Sequence, residues 1–108
     1  MGVRENKVEK YLNSEIDKMG GITRKWVSPG RDGVPDRIII VDGTIDLVEV
    51  KTNDGELSDN QTREQVRLSY TGATVATVYG KNGVDEYVKA KRFSQLPKGR
   101  ILSYGKKF

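Results

Sequence analysis

The chain has 108 residues and a net charge of +4, from 19 lysines and arginines against 15 acids. That length suits one domain with a single core, and the charge favours a polyanionic partner. It contains no cysteine and no histidine, which excludes disulfides, thiolate zinc sites and mechanisms that need an imidazole. Catalysis here must rest on carboxylates, lysines, tyrosines or a metal held by oxygen. No apolar run approaches a membrane span and the N-terminus lacks a signal-peptide core, so a cytoplasmic location is expected.

The first predicted element is a helix from about Val3 to Met19. Val8, Tyr11, Leu12, Ile16 and Met19 recur at three- and four-residue spacing, and Gly20-Gly21 ends the run. Glu5 falls within this apolar face and Glu9 on its margin, so either can point inward; acids in a first turn also suit the helix dipole. Ile22 to Val27 reads as a short strand leading into the loop Ser28-Pro29-Gly30-Arg31-Asp32-Gly33. Lys25, Arg31 and Arg37 around that loop suit phosphate contacts. Trp26 suits a core anchor better than a stacking platform for a base.

The next stretch reads as a β-hairpin. Ile38 to Val41 and Ile45 to Val50 are rich in β-branched residues, and Asp42-Gly43 between them suits a two-residue primed turn. The turn sets the register: Val41 pairs with Thr44, Ile40 with Ile45, and counting outward brings Asp36 opposite Glu49. Two carboxylates directly across a ladder repel, at the end of an otherwise apolar hairpin. A hard divalent cation removes that penalty, since Mg²⁺ commonly takes one or two protein carboxylates. Lys51, two residues beyond Glu49, lies on the same face of the strand.

After the hairpin comes the polar turn Thr52-Asn53-Asp54-Gly55-Glu56, then Ser58-Asp59-Asn60-Gln61, which has the form of a helix-capping box. The helix it starts runs to about Tyr70 or Thr71, with Gly72 as its stop, and Arg63 and Arg67 give it a basic edge that reads as a solvated face. Ala73 to Tyr79 is a predicted strand, Gly80-Lys81-Asn82-Gly83 a turn, and Val84 to Lys91 a helix. The tail carries Lys89, Lys91, Arg92, Lys98, Arg100, Lys106 and Lys107 with no acid after Glu86. It fits a nucleic-acid arm, a packed edge, or a dimer contact built on Ile101, Leu102, Tyr104 and Phe108.

Pro35-Asp36 followed by Glu49-Val50-Lys51 resembles the motif of the restriction-endonuclease-like nuclease superfamily. The wider series Gly20-Gly21, Ser28-Pro29-Gly30, Gly33-Val34-Pro35-Asp36-Arg37, Glu49-Val50-Lys51, Leu57-Ser58 and Gln61 is similar to the small stand-alone members of the virus-type replication-repair nuclease (VRR-NUC) family. The resemblance covers roughly residues 3 to 90 of a single domain, leaving a basic C-terminal segment from about 91 to 108. It implies an α/β fold with a restriction-endonuclease-like core, a mixed central β-sheet flanked by helices.

The resemblance also implies one Mg²⁺ or Mn²⁺ held by Asp36, Glu49 and the Val50 carbonyl, with help from an acid on the first helix, Glu5 or Glu9. Gln61 is implied beside the site. Lys51 is then expected to act on the attacking water or on the charge of the transition state. The expected activity is metal-dependent hydrolysis of DNA, by an endonuclease more than an exonuclease. Selectivity for branched DNA such as Holliday junctions and a homodimer follow as further expectations, because the chain has no spare domain to read base pairs. Two competing readings are a nucleic-acid-binding module without catalysis and a protein-interaction domain in which Glu49 and Lys51 merely pair.

Overall fold

The computed structural model describes residues 3–93 and 99–106. In chain order the elements are α1 (Val3–Lys18), β1 (Ile22–Lys25), β2 (Arg37–Val41), β3 (Thr44–Lys51), α2 (Asp59–Tyr70), β4 (Thr74–Tyr79), α3 (Gly80–Arg92) and β5 (Ile101–Tyr104). The strands form one sheet in the order β1-β2-β3-β4-β5. It is mixed: β1, β2 and β3 pair antiparallel, and β4 and β5 add in parallel. The fold is the expected α/β arrangement. Among the described residues no helix is long and apolar enough to cross a membrane.

The hairpin forms in the register that its turn dictates, with Val41 opposite Thr44, Ile40 opposite Ile45 and Arg37 opposite Val48. Asp42 and Gly43 both adopt positive φ, 51° and 77°, the requirement of a primed turn. Strand alternation then divides the side chains between two faces. On one, Ile39, Val41, Val48, Val50, Ala76 and Val78 meet Leu12 and Ile16 of α1 and Val84, Tyr87 and Val88 of α3. On the other, α2 packs over β4 and β5, and a buried hydrogen bond from Gln65 to the Thr77 hydroxyl, 2.9 Å, replaces apolar contact.

Three expectations need correction. β1 stops at Lys25, short of Val27, because Trp26 makes one last backbone bond, from its N–H to the Asp36 carbonyl at 3.0 Å, and Val27 turns out to solvent. Trp26 is half-buried and lies outside the core cluster, so it is not the anchor its size suggested. Gly80 to Gly83 is the first turn of α3 and not a reverse turn. Gly83 serves close packing there: a Cβ would sit 2.5 Å from the Tyr104 carbonyl oxygen.

The basic C-terminal segment resolves into a packed edge. Ile101 to Tyr104 form β5, Leu102 and Tyr104 pack against the core, and Tyr104 meets Tyr87 edge-to-face at 5.8 Å. Lys98, Lys107 and Phe108 of that segment lie outside the described residues.

A buried ion pair, unforeseen in the sequence, joins α3 to the hairpin. Lys91 Nζ lies 2.7 Å from Asp46 Oδ2 and also donates to the Thr44 hydroxyl, while Tyr87 donates its hydroxyl to Asp46 at 2.6 Å. Burial, then the Asp46 charge and hydrogen bond, push the Tyr87 hydroxyl well above its usual pKa. Lys91→Met leaves a buried carboxylate without its cation, so a loss of about 3–5 kcal/mol is expected in chemical denaturation. Stability equal to the wild-type protein would show that the Tyr87 hydroxyl alone suffices for Asp46.

Candidate active site

The hairpin register, carried one residue past its last pair at Arg37 and Val48, sets Asp36 against Glu49. No ladder forms at that step. The Asp36 carboxylate instead accepts a hydrogen bond from the Val50 N–H at 2.8 Å and lies in hydrogen-bonding reach of Glu49. Pro35, fully buried, holds the approach to this position. The acid pair therefore stands at the open end of the hairpin, on the face that α2 partly covers.

Glu49 is only 3% exposed, and its surroundings are mostly hostile to charge. Burial foremost, then the Asp36 charge and its hydrogen bond, push its carboxyl up to about 9; Lys51 works against them and Glu5 adds to them. The Lys51 ammonium is 3.9 Å from Glu49 Oε2, too long for a hydrogen bond but close enough for attraction. Among the described residues no three acids converge into an all-protein metal cage. Two carboxylates with an adjacent backbone carbonyl still fit an ion that retains several waters, as Mg²⁺ does.

Gln61 completes its capping box and also touches Glu49. Ser58 accepts from the Gln61 backbone N–H at 3.1 Å, and Gln61 Oε1 accepts from the Ser58 N–H at 2.9 Å, completing the capping box. The other end of the same amide donates to Glu49 Oε2 at 3.1 Å. The cap thereby fixes the start of α2 and aims an N–H at the site.

The candidates on α1 separate. Glu9 accepts from Arg37 at 3.0 Å, and Arg37 Nε donates to the Thr23 hydroxyl at 3.1 Å, so this pair ties α1 to β1 and β2. Glu5 instead acts electrostatically on Glu49. The Arg37 side chain is 13% exposed and engaged, whereas Arg31 is 55% exposed and Lys25 projects from the end of β1.

Further site neighbours had little sequence signal. The turn after β3 lies over the Lys51 stem, where a Cβ on Gly55 would sit 3.1 Å from Lys51 Cβ. Lys106 holds that turn, donating to the Gly55 carbonyl at 3.0 Å while resting 4.9 Å above the Tyr79 ring. Tyr79 pairs with Lys51 across β3 and β4, and its hydroxyl pKa is raised by burial, then by the Glu49 and Glu56 charges. A cavity of about 360 Å³ lies at the hairpin-turn end of β3 beside Asp46 and Lys91. Those two are already paired with each other, and the cavity is remote from the acid pair.

The mixed sheet flanked by helices is an α/β domain whose class the comparisons identify as a nuclease. The chain is 46% identical over 74 residues to the protein named "Putative nuclease p44" of Acyrthosiphon pisum secondary endosymbiont phage 1, a match spanning 68% of this chain and 80% of that one. A solved structure described as "VRR_NUC domain" superposes with a TM-score of 0.74 at 30% identity, covering 82% of this chain and 97% of that one. No family model matches. The chain belongs to the VRR-NUC family.

The raised Glu49 pKa has a consequence for the metal-free protein. Between its usual 4.5 and about 9 the folded state holds a proton that the unfolded state has released, so stability falls as pH rises through that window. Denaturation midpoints in EDTA are expected to drop over this range, and Glu49→Gln to flatten the slope. Equal slopes for the two proteins would mean that Glu49 titrates normally.

Proposed function

We propose that this protein is a metal-dependent deoxyribonuclease that hydrolyses phosphodiester bonds internally, with a preference for branched DNA. The observation that carries the reading is the Asp36 and Glu49 pair, pressed together at the hairpin end with Lys51 3.9 Å from Glu49. Asp36, Glu49 and the Val50 carbonyl would hold Mg²⁺ or Mn²⁺, with Glu5 as the nearby helix acid; Glu9 is committed to Arg37. A cation bound there supplies Lewis-acid stabilisation of developing negative charge.

The chain's own groups then have distinct tasks. Lys51, its stem held under the turn at Gly55, orients or deprotonates the attacking water or neutralises charge on the phosphoryl oxygens. Gln61 fixes the Glu49 carboxylate through its amide. A two-fold dimer of this domain would present two such sites, which suits paired nicks in a four-way junction.

Two measurements test the reading. Millimolar Mg²⁺ or Mn²⁺ is expected to raise the wild-type melting temperature and to leave Asp36→Asn unmoved; the asparagine keeps an oxygen for the Val50 N–H and relieves the repulsion, so apo stability holds or rises. Equal metal shifts in both proteins would mean that the ion binds elsewhere. In cleavage of supercoiled plasmid and four-way junctions, Lys51→Ala is expected to retain binding while losing about 10²–10⁴-fold in rate. Near-normal turnover would remove Lys51 from the mechanism, and wild-type binding without cleavage in either metal would favour a purely binding module.

A further inference from the structure

Beside the acid pair, α2 carries a second feature that the chemistry above does not use. Glu64 is 7% exposed, yet it faces two guanidinium groups: Arg67 at 3.2 Å from the same helix and Arg31 at 3.9 Å from the loop before Asp36. Both arginine side chains remain more than half exposed, 56% and 55%. One cation would balance the carboxylate, so the second leaves an excess positive charge. Arg63, on the same stripe, donates to the neutral Asn60 side chain at 2.7 Å.

The backbone sets this group in place. Gly33 approaches α2 so closely that a Cβ would lie 2.6 Å from the Asn60 carbonyl oxygen, which seats the Arg31 loop against the helix start. Gln61, which touches Glu49, is one turn before Glu64. At about 1.5 Å of rise per residue, Glu64 and Arg67 lie roughly 5 and 9 Å along α2 from Gln61. A DNA strand advances about 3.4 Å along the duplex axis per nucleotide, so with a duplex lying along α2 this distance corresponds to one to three steps from the acid pair. Arg67, at hydrogen-bonding distance, answers the buried Glu64 carboxylate, and the exposed Arg31 at 3.9 Å adds little further stability.

We infer that Arg31 and Arg67, organised by the buried Glu64 carboxylate, form a phosphate clamp that grips the DNA strand one to three nucleotides from the Asp36 and Glu49 pair. Glu64 is a positioning residue: it restricts two flexible guanidiniums before the strand arrives, so less freedom is lost on binding. Arg63 extends the same positive edge. The inference rests on the nuclease reading for its substrate, and its test is independent of cleavage.

Binding of a fluorescent DNA duplex and a four-way junction is measured by anisotropy in EDTA, where metal-dependent cleavage is silent, over a series of salt concentrations. Arg31→Ala and Arg67→Ala are each expected to weaken binding and to reduce the slope of log K against log salt by about 0.7–0.9, one phosphate contact apiece. Arg31→Lys is expected to keep the slope, and Arg92→Ala, on α3 across the sheet, to leave slope and affinity unchanged. Thermal melts that match wild type show that the variants are folded. Unchanged slopes in both alanine variants, or no DNA binding by the wild-type protein, would overturn the clamp. Clamp-dependent binding by a protein that never cleaves would uphold the clamp and sink the nuclease reading instead.

Discussion

The arrangement depends on one unfavourable contact, two carboxylates brought together at the open end of the β2–β3 hairpin. Nothing in backbone geometry relieves it, because the Asp42-Gly43 turn fixes the register and every step outward follows. The chain accepts the repulsion and surrounds it with partial compensation: the Val50 N–H for Asp36, the Gln61 amide for Glu49, and Lys51 at a distance. None of these neutralises the pair within hydrogen-bonding range, and burial, then the Asp36 charge, drive the Glu49 carboxyl up to about 9. A perturbed carboxyl of this kind is the feature on which the proposed cation site rests.

Elements remote in sequence converge to hold that end rigid. The capping box starts α2 where the Gln61 amide reaches Glu49, and the bond from Gln65 to Thr77 fastens the same helix to β4. From the other side, β5 brings Lys106 to the carbonyl of Gly55, whose turn lies on the Lys51 stem. The C-terminal segment thus contributes an edge strand to the sheet and a buttress to the site. This explains how a small domain can hold four polar side chains in fixed relation without a large apolar wall around them.

What was legible in the sequence was whatever local chemistry dictates. The turn dipeptide gave the hairpin and its register, Ser58 and Gln61 gave the cap, and the apolar spacing of Val8, Leu12 and Ile16 gave α1. Contacts made across the fold were not legible. On a helical wheel Glu5 falls within the apolar face and Glu9 on its margin, so either can point inward, and only the folded position of Arg37 shows that Glu9 is engaged elsewhere. Gln61 carried two competing explanations because a sequence cannot show that one amide serves both. Glu64 and Gln65 carry no sequence signal of burial, since α2 meets the sheet through polar contacts and so lacks the apolar stripe that announces a buried face. Asp46, an acid on the core side of an apolar strand, was a visible signal, but its partner Lys91 lies 45 residues away on another element.

That second acid makes the first intelligible. Asp46 and Glu49 lie on the same strand, are buried to 2% and 3% exposure, and point to opposite faces of the sheet. Asp46 has a lysine at 2.7 Å, a tyrosine hydroxyl at 2.6 Å and no acidic neighbour across the ladder, where Ile39 stands. Its charge is answered entirely from within the chain, as expected of a carboxylate whose task is to join α3 to the hairpin. Glu49 has its lysine at 3.9 Å, an amide at 3.1 Å and a second carboxylate beside it. The same fold that seats one buried acid against a cation leaves the other short of one, three residues along. The shortfall is therefore local to the hairpin end, which is where the proposed cation would supply the missing charge.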